Sequence, residues 1–152
     1  MPTTQKNTNQ PRCSARAIII TKNNKILLIK RQKKGLTPYF VTPGGGIEAN
    51  ETSVDALKRE LLEETGSVVA NISFLFHLDD YEMNNSVDFY ICNEIERKQP
   101  TGIEWQHISL DNVFELYEVS ILELNTINLK PEIAATRLII AAQKAIKNEK
   151  KA

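Results

Sequence analysis

Residues 44–66 read GGGIEANETSVDALKRELLEETG, and this stretch restricts the chain more tightly than the rest. Three successive glycines precede a segment in which Val54, Leu57 and Leu61 fall at i, i+3 and i+7, one apolar face of a helix. Thr52, with Asp55 three residues on, has the form of a capping box, and Gly66 stands where a C-cap glycine ends a helix. Glu60, Glu63 and Glu64 occupy i, i+3 and i+4, so three carboxylates share one face of one helical turn. Like charges so spaced repel, and a purely structural helix gains nothing from them. At about 100° per residue, their centre lies roughly 100° around from the apolar stripe. The stripe can therefore pack on a sheet while the acids line a pocket. The run Pro43-Gly44-Gly45-Gly46 is expected to be irregular, because three glycines carry a high entropic cost in helix or strand.

Clustered hard oxygen ligands suit Mg²⁺ or Mn²⁺, and a cation there would cancel the repulsion. Gly44–Gly46 can bring bare backbone against the same place, offering a carbonyl to a metal or amides to a phosphate. Arg59, just before Glu60, could orient a carboxylate or contact a phosphate. Metal, carboxylates and basic groups together are the parts of phosphoryl transfer to water.

The chain's 152 residues, 41% of them hydrophobic and 25% charged, suit one domain with a substantial core. Residues 1–11, MPTTQKNTNQP, offer little to bury and are expected to be a disordered polar tail, with a single domain over residues 12–148. CSARAIIIT is predicted to be a buried strand, turning at Asn23-Asn24 into the strand KILLIK. LTPYFVT is a short strand broken by Pro38. VVANISFLFHL and SVDFYICNEI are two longer strands about a polar tip, IEWQHISL is a short strand, and DNVFELYE is predicted to form one or two helical turns. Pro131 sits near the start of a final helix, EIAATRLIIAAQKAIKNEK, whose last turns are basic. Strands, helix, strands, helix is an α+β order: an α/β/α sandwich around a mixed β-sheet.

At these residues the chain resembles the Nudix hydrolase family. That family's box runs Gly, five residues, Glu, seven residues, Arg-Glu, an aliphatic, any residue, Glu-Glu, any residue, Gly, then an aliphatic. Gly45, Glu51, Arg59, Glu60, Leu61, Glu63, Glu64 and Gly66 meet it, and Ser67 departs at the last position, with Val68 following. Seven positions are specified to one residue type, so a chance match in this chain is rarer than roughly one in a million. The resemblance implies a Nudix α/β/α sandwich over about residues 13–147. It implies Glu63 and Glu64 as principal metal ligands, Glu60 as a further ligand or the group that activates water, and the carbonyl of Gly44 or Gly45 in the metal shell. Arg59 would hold Glu60 in place, and Glu51 would support the loop–helix junction. The implied reaction is Mg²⁺-dependent (Mn²⁺ as alternative) hydrolysis of a nucleoside diphosphate linked to another moiety, by water attack at phosphorus. A nucleoside triphosphate, ADP-ribose or a nucleotide-sugar would each be such a substrate.

Family members often add one acid from a loop after the central strands; Glu94, Glu96 and Glu104 are the candidates. Arg16, Lys30 and Arg31 could receive substrate phosphates, and Trp105, Tyr39 or Tyr81 could stack on a base. His77 and His107 lack partners at metal spacing and read as structural, and Asp79-Asp80 reads as a solvated turn.

Charge sharpens the choice of partner. The 19 basic and 19 acidic side chains cancel, which argues against a nucleic-acid or membrane-surface binder. Yet residues 1–34 carry nine basic side chains and no acid, leaving a net of minus nine for residues 35–152. A small metal-bound diphosphate, between acids and a basic wall, fits that division. Cys13 and Cys92 form neither a disulfide framework nor a zinc pattern and fit a reducing cytosol, and no apolar run approaches the ~20 residues of a membrane span. The rival readings are a Nudix-fold sensor that binds a nucleotide without cleaving it, and an RNA 5′-end pyrophosphohydrolase. Exposed strands and the final helix could support a homodimer.

Overall fold

The computed structural model of the chain describes residues 10–102 and 111–151. The β-branched run of residues 12–20 forms the first strand, β1 (Arg12–Ile20), and the apolar run after the Asn23-Asn24 turn forms β2 (Ile26–Lys33). Thr21 closes the turn, its amide donating to the Lys25 carbonyl at 2.8 Å, while Asn24 takes the left-handed φ of 56° that asparagine tolerates. The two strands pair at this end alone, at Ile19 with Leu27 and Ile20 with Ile26. Beyond it they part. β4 (Gly44–Gly46) then lines β1, and β3 (Tyr39–Val41) lines β2.

The remaining strands are β5 (Ser67–Asp80), β6 (Asn85–Arg97), β7 (Asn112–Val119) and β8 (Leu129–Lys130). The sheet runs β5-β6-β1-β2-β3-β8, with β4 on β1 and β7 on β2. β6 pairs with β1 in parallel over nine rungs, Arg12–Asn85 to Ile20–Asn93, and the other long pairings are antiparallel, so the sheet is mixed.

Alternation along β1 assigns the two layers of helix. Ile18 and Ile20 face α2 (Glu132–Lys151), packing with Val87, Phe89, Leu138 and Ala142; Ala15, Ala17 and Ile19 face α1 (Ser53–Thr65), packing with Leu57 and Leu61. A strand buried on both faces reads as an unbroken apolar run, as AIII does here. Leu57 and Leu61 are fully buried, each worth roughly 2 kcal/mol. The α/β/α sandwich about a mixed sheet is thus as expected. Among the described residues no helix is long and apolar enough to cross a membrane.

Two local expectations are corrected. Residues 112–119 are strand β7, not helical turns: Val113, Leu116 and Tyr117 have helical spacing, but the free edge of β2 accepts an eight-residue antiparallel partner, burying Phe114 and Val119. Gly44–Gly46, expected to be irregular, is a three-residue strand hydrogen-bonded to Ser14–Arg16 of β1. The entropic cost of glycine is accepted there because side chains would not fit, as shown below. The short strand expected at IEWQHISL lies outside the described residues.

Candidate active site

The glycine strand and the acidic helix meet without space between them. Gly44 has φ of 145°, and a Cβ there would run into the Ala15 carbonyl and lie 2.6 Å from Arg16 Cα. A Cβ on Gly45 would collide with the Glu60 carboxylate. Bare backbone thus lets Glu60 lie directly on β4. Next to it, the Gly44 amide donates to Glu64 Oε1 at 3.3 Å, and Glu64 is buried.

α1 begins and ends as its caps dictate. Thr52 Oγ1 accepts from the Asp55 amide at 3.1 Å, and Gly66, at φ of 74°, donates its amide to the Leu62 carbonyl at 2.9 Å. Ser67, where the box expects an aliphatic residue, is buried with its polarity satisfied: Thr65 Oγ1 donates to it at 2.8 Å, and its hydroxyl donates to Glu94 Oε2 at 2.6 Å.

Arg59 organises the acids. Nε donates to Glu51 Oε2 and Nη2 to Glu51 Oε1, both at 2.8 Å, while Nη2 also reaches the Gly46 carbonyl at 3.0 Å. Nη1 donates to Glu60 Oε1 at 2.9 Å and to Glu63 Oε2 at 3.4 Å. The guanidinium, helped by the Glu48 amide, holds the Glu51 carboxyl down at about 2, and the bonds from Glu51 in turn keep Arg59 firmly protonated. Burial lowers the pKa of Arg16, opposed by the nearby charges of Glu64 and Glu60. Glu51, Glu60, Glu63, Glu64, Arg59 and Gly45 are therefore one cluster.

Its donors are carboxylate oxygens and peptide carbonyls, a set that fits Mg²⁺ or Mn²⁺ rather than a softer ion. Among the described residues no three acid, histidine or cysteine side chains already converge on one metal-sized point, since Arg59 draws Glu60 and Glu63 to itself.

A cleft of about 1040 Å³ opens on the α2 side of the sheet. Arg16 and Tyr39 line it, together with Lys33, the β5–β6 tip from Asp79 to Met83, and Lys130–Ile133 at the start of α2. Arg16 links cleft and cluster: it is half-buried, its Nη1 donates to the Thr42 carbonyl at 2.6 Å, and it feels Glu64 and Glu60. Arg31 is not among the cleft residues; its Nη2 donates to Asn112 Oδ1 at 3.0 Å and its guanidinium lies 5.2 Å over the Phe114 ring. Lys30 also lies outside the lining, whereas Tyr81 belongs to it. Glu94 is tied to Ser67 and to Arg97 by two bonds of 2.9 Å, and Glu96 is exposed. Glu104, Trp105 and His107 lie outside the described residues.

Asp79 and Asp80 stand at the end of strand β5, directly before the turn of residues 81–84, and His77 has partners on both ring nitrogens. Neither the α2 start nor Arg12, whose guanidinium covers Gly46, stands out from the sequence. Their signals are faint: Arg12 and Arg16 share a face of β1 by period two, and Pro131 marks the helix start.

The family model of the NUDIX domain matches residues 11–139. Over 50 residues the chain is 50% identical to an ADP-ribose pyrophosphatase of Methanocaldococcus jannaschii, covering 33% of this chain and 30% of that protein. Over 87 residues it is 31% identical to an 8-oxo-dGTP diphosphatase of Buchnera aphidicola, covering 57% of this chain and 68% of that protein. A Nudix hydrolase of Nitrosomonas europaea shares the fold at TM-score 0.65 and 18% identity, over 90% of each chain. A match that takes in β1 to the first half of α2, with the whole acidic cluster inside it, shows that the chain belongs to the Nudix hydrolase family.

Proposed function

We propose that the protein hydrolyses a phosphorus anhydride, the diphosphate of a nucleoside linked to another moiety, and that it does so with Mg²⁺. The observation that carries the reading is the packing of Glu60 and Glu64 on the bare glycine strand, with Arg59 bridging Glu51, Glu60 and Glu63. Glu63 and Glu64 would be the principal ligands, with Glu60 and the Gly45 carbonyl beside them. Bound there, the cation supplies charge neutralisation of the diphosphate and activation of water. Glu60, held against Gly45, would take a proton from the attacking water. Arg59 fixes its direction and, through its bond to the Gly46 carbonyl, the distance between glycine strand and helix. Arg16, between cluster and cleft, would hold a phosphate oxygen, and Tyr39 would present an aromatic face to the nucleoside. The free thiols of Cys13 and Cys92 agree with a reducing cytosol.

The relatives' names, ADP-ribose pyrophosphatase and 8-oxo-dGTP diphosphatase, set two first substrates to try. Product analysis of both, with a nucleotide-sugar added, in Mg²⁺ and in excess chelator, tests the reading. A nucleoside monophosphate released with Mg²⁺ and absent with chelator is the expected result. Tight nucleotide binding without product after long incubation would instead support the sensor.

A further inference from the structure

A series of side-chain hydrogen bonds runs along the α1 face of the sheet from the end of β5 to the first turn of α1, apart from the acidic cluster. It begins at Asp79, which lines the cleft at the end of β5. Asp79 Oδ1, Ser86 Oγ and His77 Nε2 form a triangle: Oγ to Oδ1 is 2.9 Å, Oγ to Nε2 is 2.9 Å and Nε2 to Oδ1 is 3.0 Å. On the other side of the ring, His77 Nδ1 lies 2.7 Å from Asp88 Oδ1. The second Asp88 oxygen accepts from Ser53 Oγ at 2.8 Å, and Ser53 Oγ accepts from Tyr90 OH at 2.8 Å. Ser53 is the first residue of α1, directly after its N-cap Thr52. The antiparallel register sets the geometry, with His77 opposite Asp88 and Asp79 opposite Ser86.

Proton counting in the triangle gives it two states. With the ring charged, Nε2–H and the Ser86 hydroxyl both donate to Asp79, and Nδ1–H donates to Asp88. With the ring neutral and its proton kept on Nδ1, Nε2 becomes an acceptor. The single Ser86 proton then serves either Nε2 or Asp79, and Asp79 faces a nitrogen lone pair at 3.0 Å.

We propose that His77 is a positioning residue: its charged ring clasps Asp79, at the β5 end that borders the cleft, to Asp88, and through Ser53 to the first turn of the helix that bears Glu60, Glu63 and Glu64. The charged groups facing the ring are Asp79 on its own strand and Asp88 on β6; Ser86, Ser53 and Tyr90 complete the polar surroundings from β6 and α1. The bonds to Asp88, then to Asp79, raise the pKa of His77 above its ordinary 6.5. The clasp is therefore closed below that value and opens as pH rises through the raised one. Its meaning for catalysis rests on the function proposed above; the clasp itself does not.

The test is residue-resolved amide exchange on the full chain from about pH 5.5 to about pH 8.5, with protection at Asp55 and Ala56 corrected for intrinsic rates. These amides close the first turn on Thr52. In wild type their protection should fall about tenfold as His77 deprotonates, while amides near Leu61 stay unchanged. In His77→Gln it should be low and independent of pH. In Ser53→Ala it should be low throughout, while the ring of His77 titrates as in wild type. Equal first-turn protection in wild type and both variants over the whole range overturns the proposal. Failure to find hydrolysis leaves these readouts intact, so the two readings fail separately.

Discussion

Arg59 and Glu51 are joined by two parallel hydrogen bonds, Nε to Oε2 and Nη2 to Oε1, each 2.8 Å long. The pair connects the loop before α1 to the middle of that helix, and the same guanidinium holds Glu60 and the Gly46 carbonyl. One planar group thus sets how far the glycine strand stands from the acidic face.

A lysine cannot reproduce that fork. Arg59→Lys should lower turnover by about 10- to 100-fold through misdirected Glu60. Stability should fall by only about 1 kcal/mol, because the pair is partly exposed to solvent. Steady-state kinetics beside urea unfolding separate the two effects.

The neighbouring glycines should fail in different ways. Gly44→Ala meets the backbone of Ala15 and Arg16 at a positive φ, so about 3 kcal/mol or more of stability should be lost. Gly45→Ala meets the movable end of Glu60, so folding should change by about 1 kcal/mol or less while turnover drops about 100-fold. Unfolding midpoints with matched kinetics check the contrast.

Acid should reveal the Arg59–Glu51 pair. The folded Glu51 carboxyl sits at about 2 against an ordinary 4.5, a depressed value. Its contribution is therefore complete above 4.5 and is lost as pH falls from there through about 2. Glu51→Gln should flatten this part of the stability–pH curve, measured by urea unfolding over that range.

Much of this was legible in residues 44–66, because helix caps, an apolar stripe and clustered acids are local signals. Thr52, Gly66, Leu57 and Leu61 behave as their spacing says. Residues 112–119 misread because Val113, Leu116 and Tyr117 satisfy a helical period, and the β2 edge that decides otherwise is some 80 residues away in the chain. Gly44–Gly46 misread because an entropic argument about the residues alone omits the partner strand and the Glu60 carboxylate that exclude side chains. His77, Asp88 and Ser53 are brought together by strand register and helix placement, which no local pattern encodes.

Cleft residues should act on binding rather than chemistry. Tyr39→Ala should raise KM about tenfold with kcat nearly unchanged, the reverse of the Arg59→Lys pattern. Initial rates over a range of substrate concentration give both constants.

The central claim is that the acidic face of α1 carries the chemistry. Its most direct test is kcat at saturating substrate and Mg²⁺ for wild type, Glu63→Gln and Glu123→Gln, the last an exposed acid in the turn after β7. A loss of about 100-fold or more is expected in Glu63→Gln and a rate within about twofold of wild type in Glu123→Gln. Wild-type turnover in Glu63→Gln, with its fold intact, would contradict it.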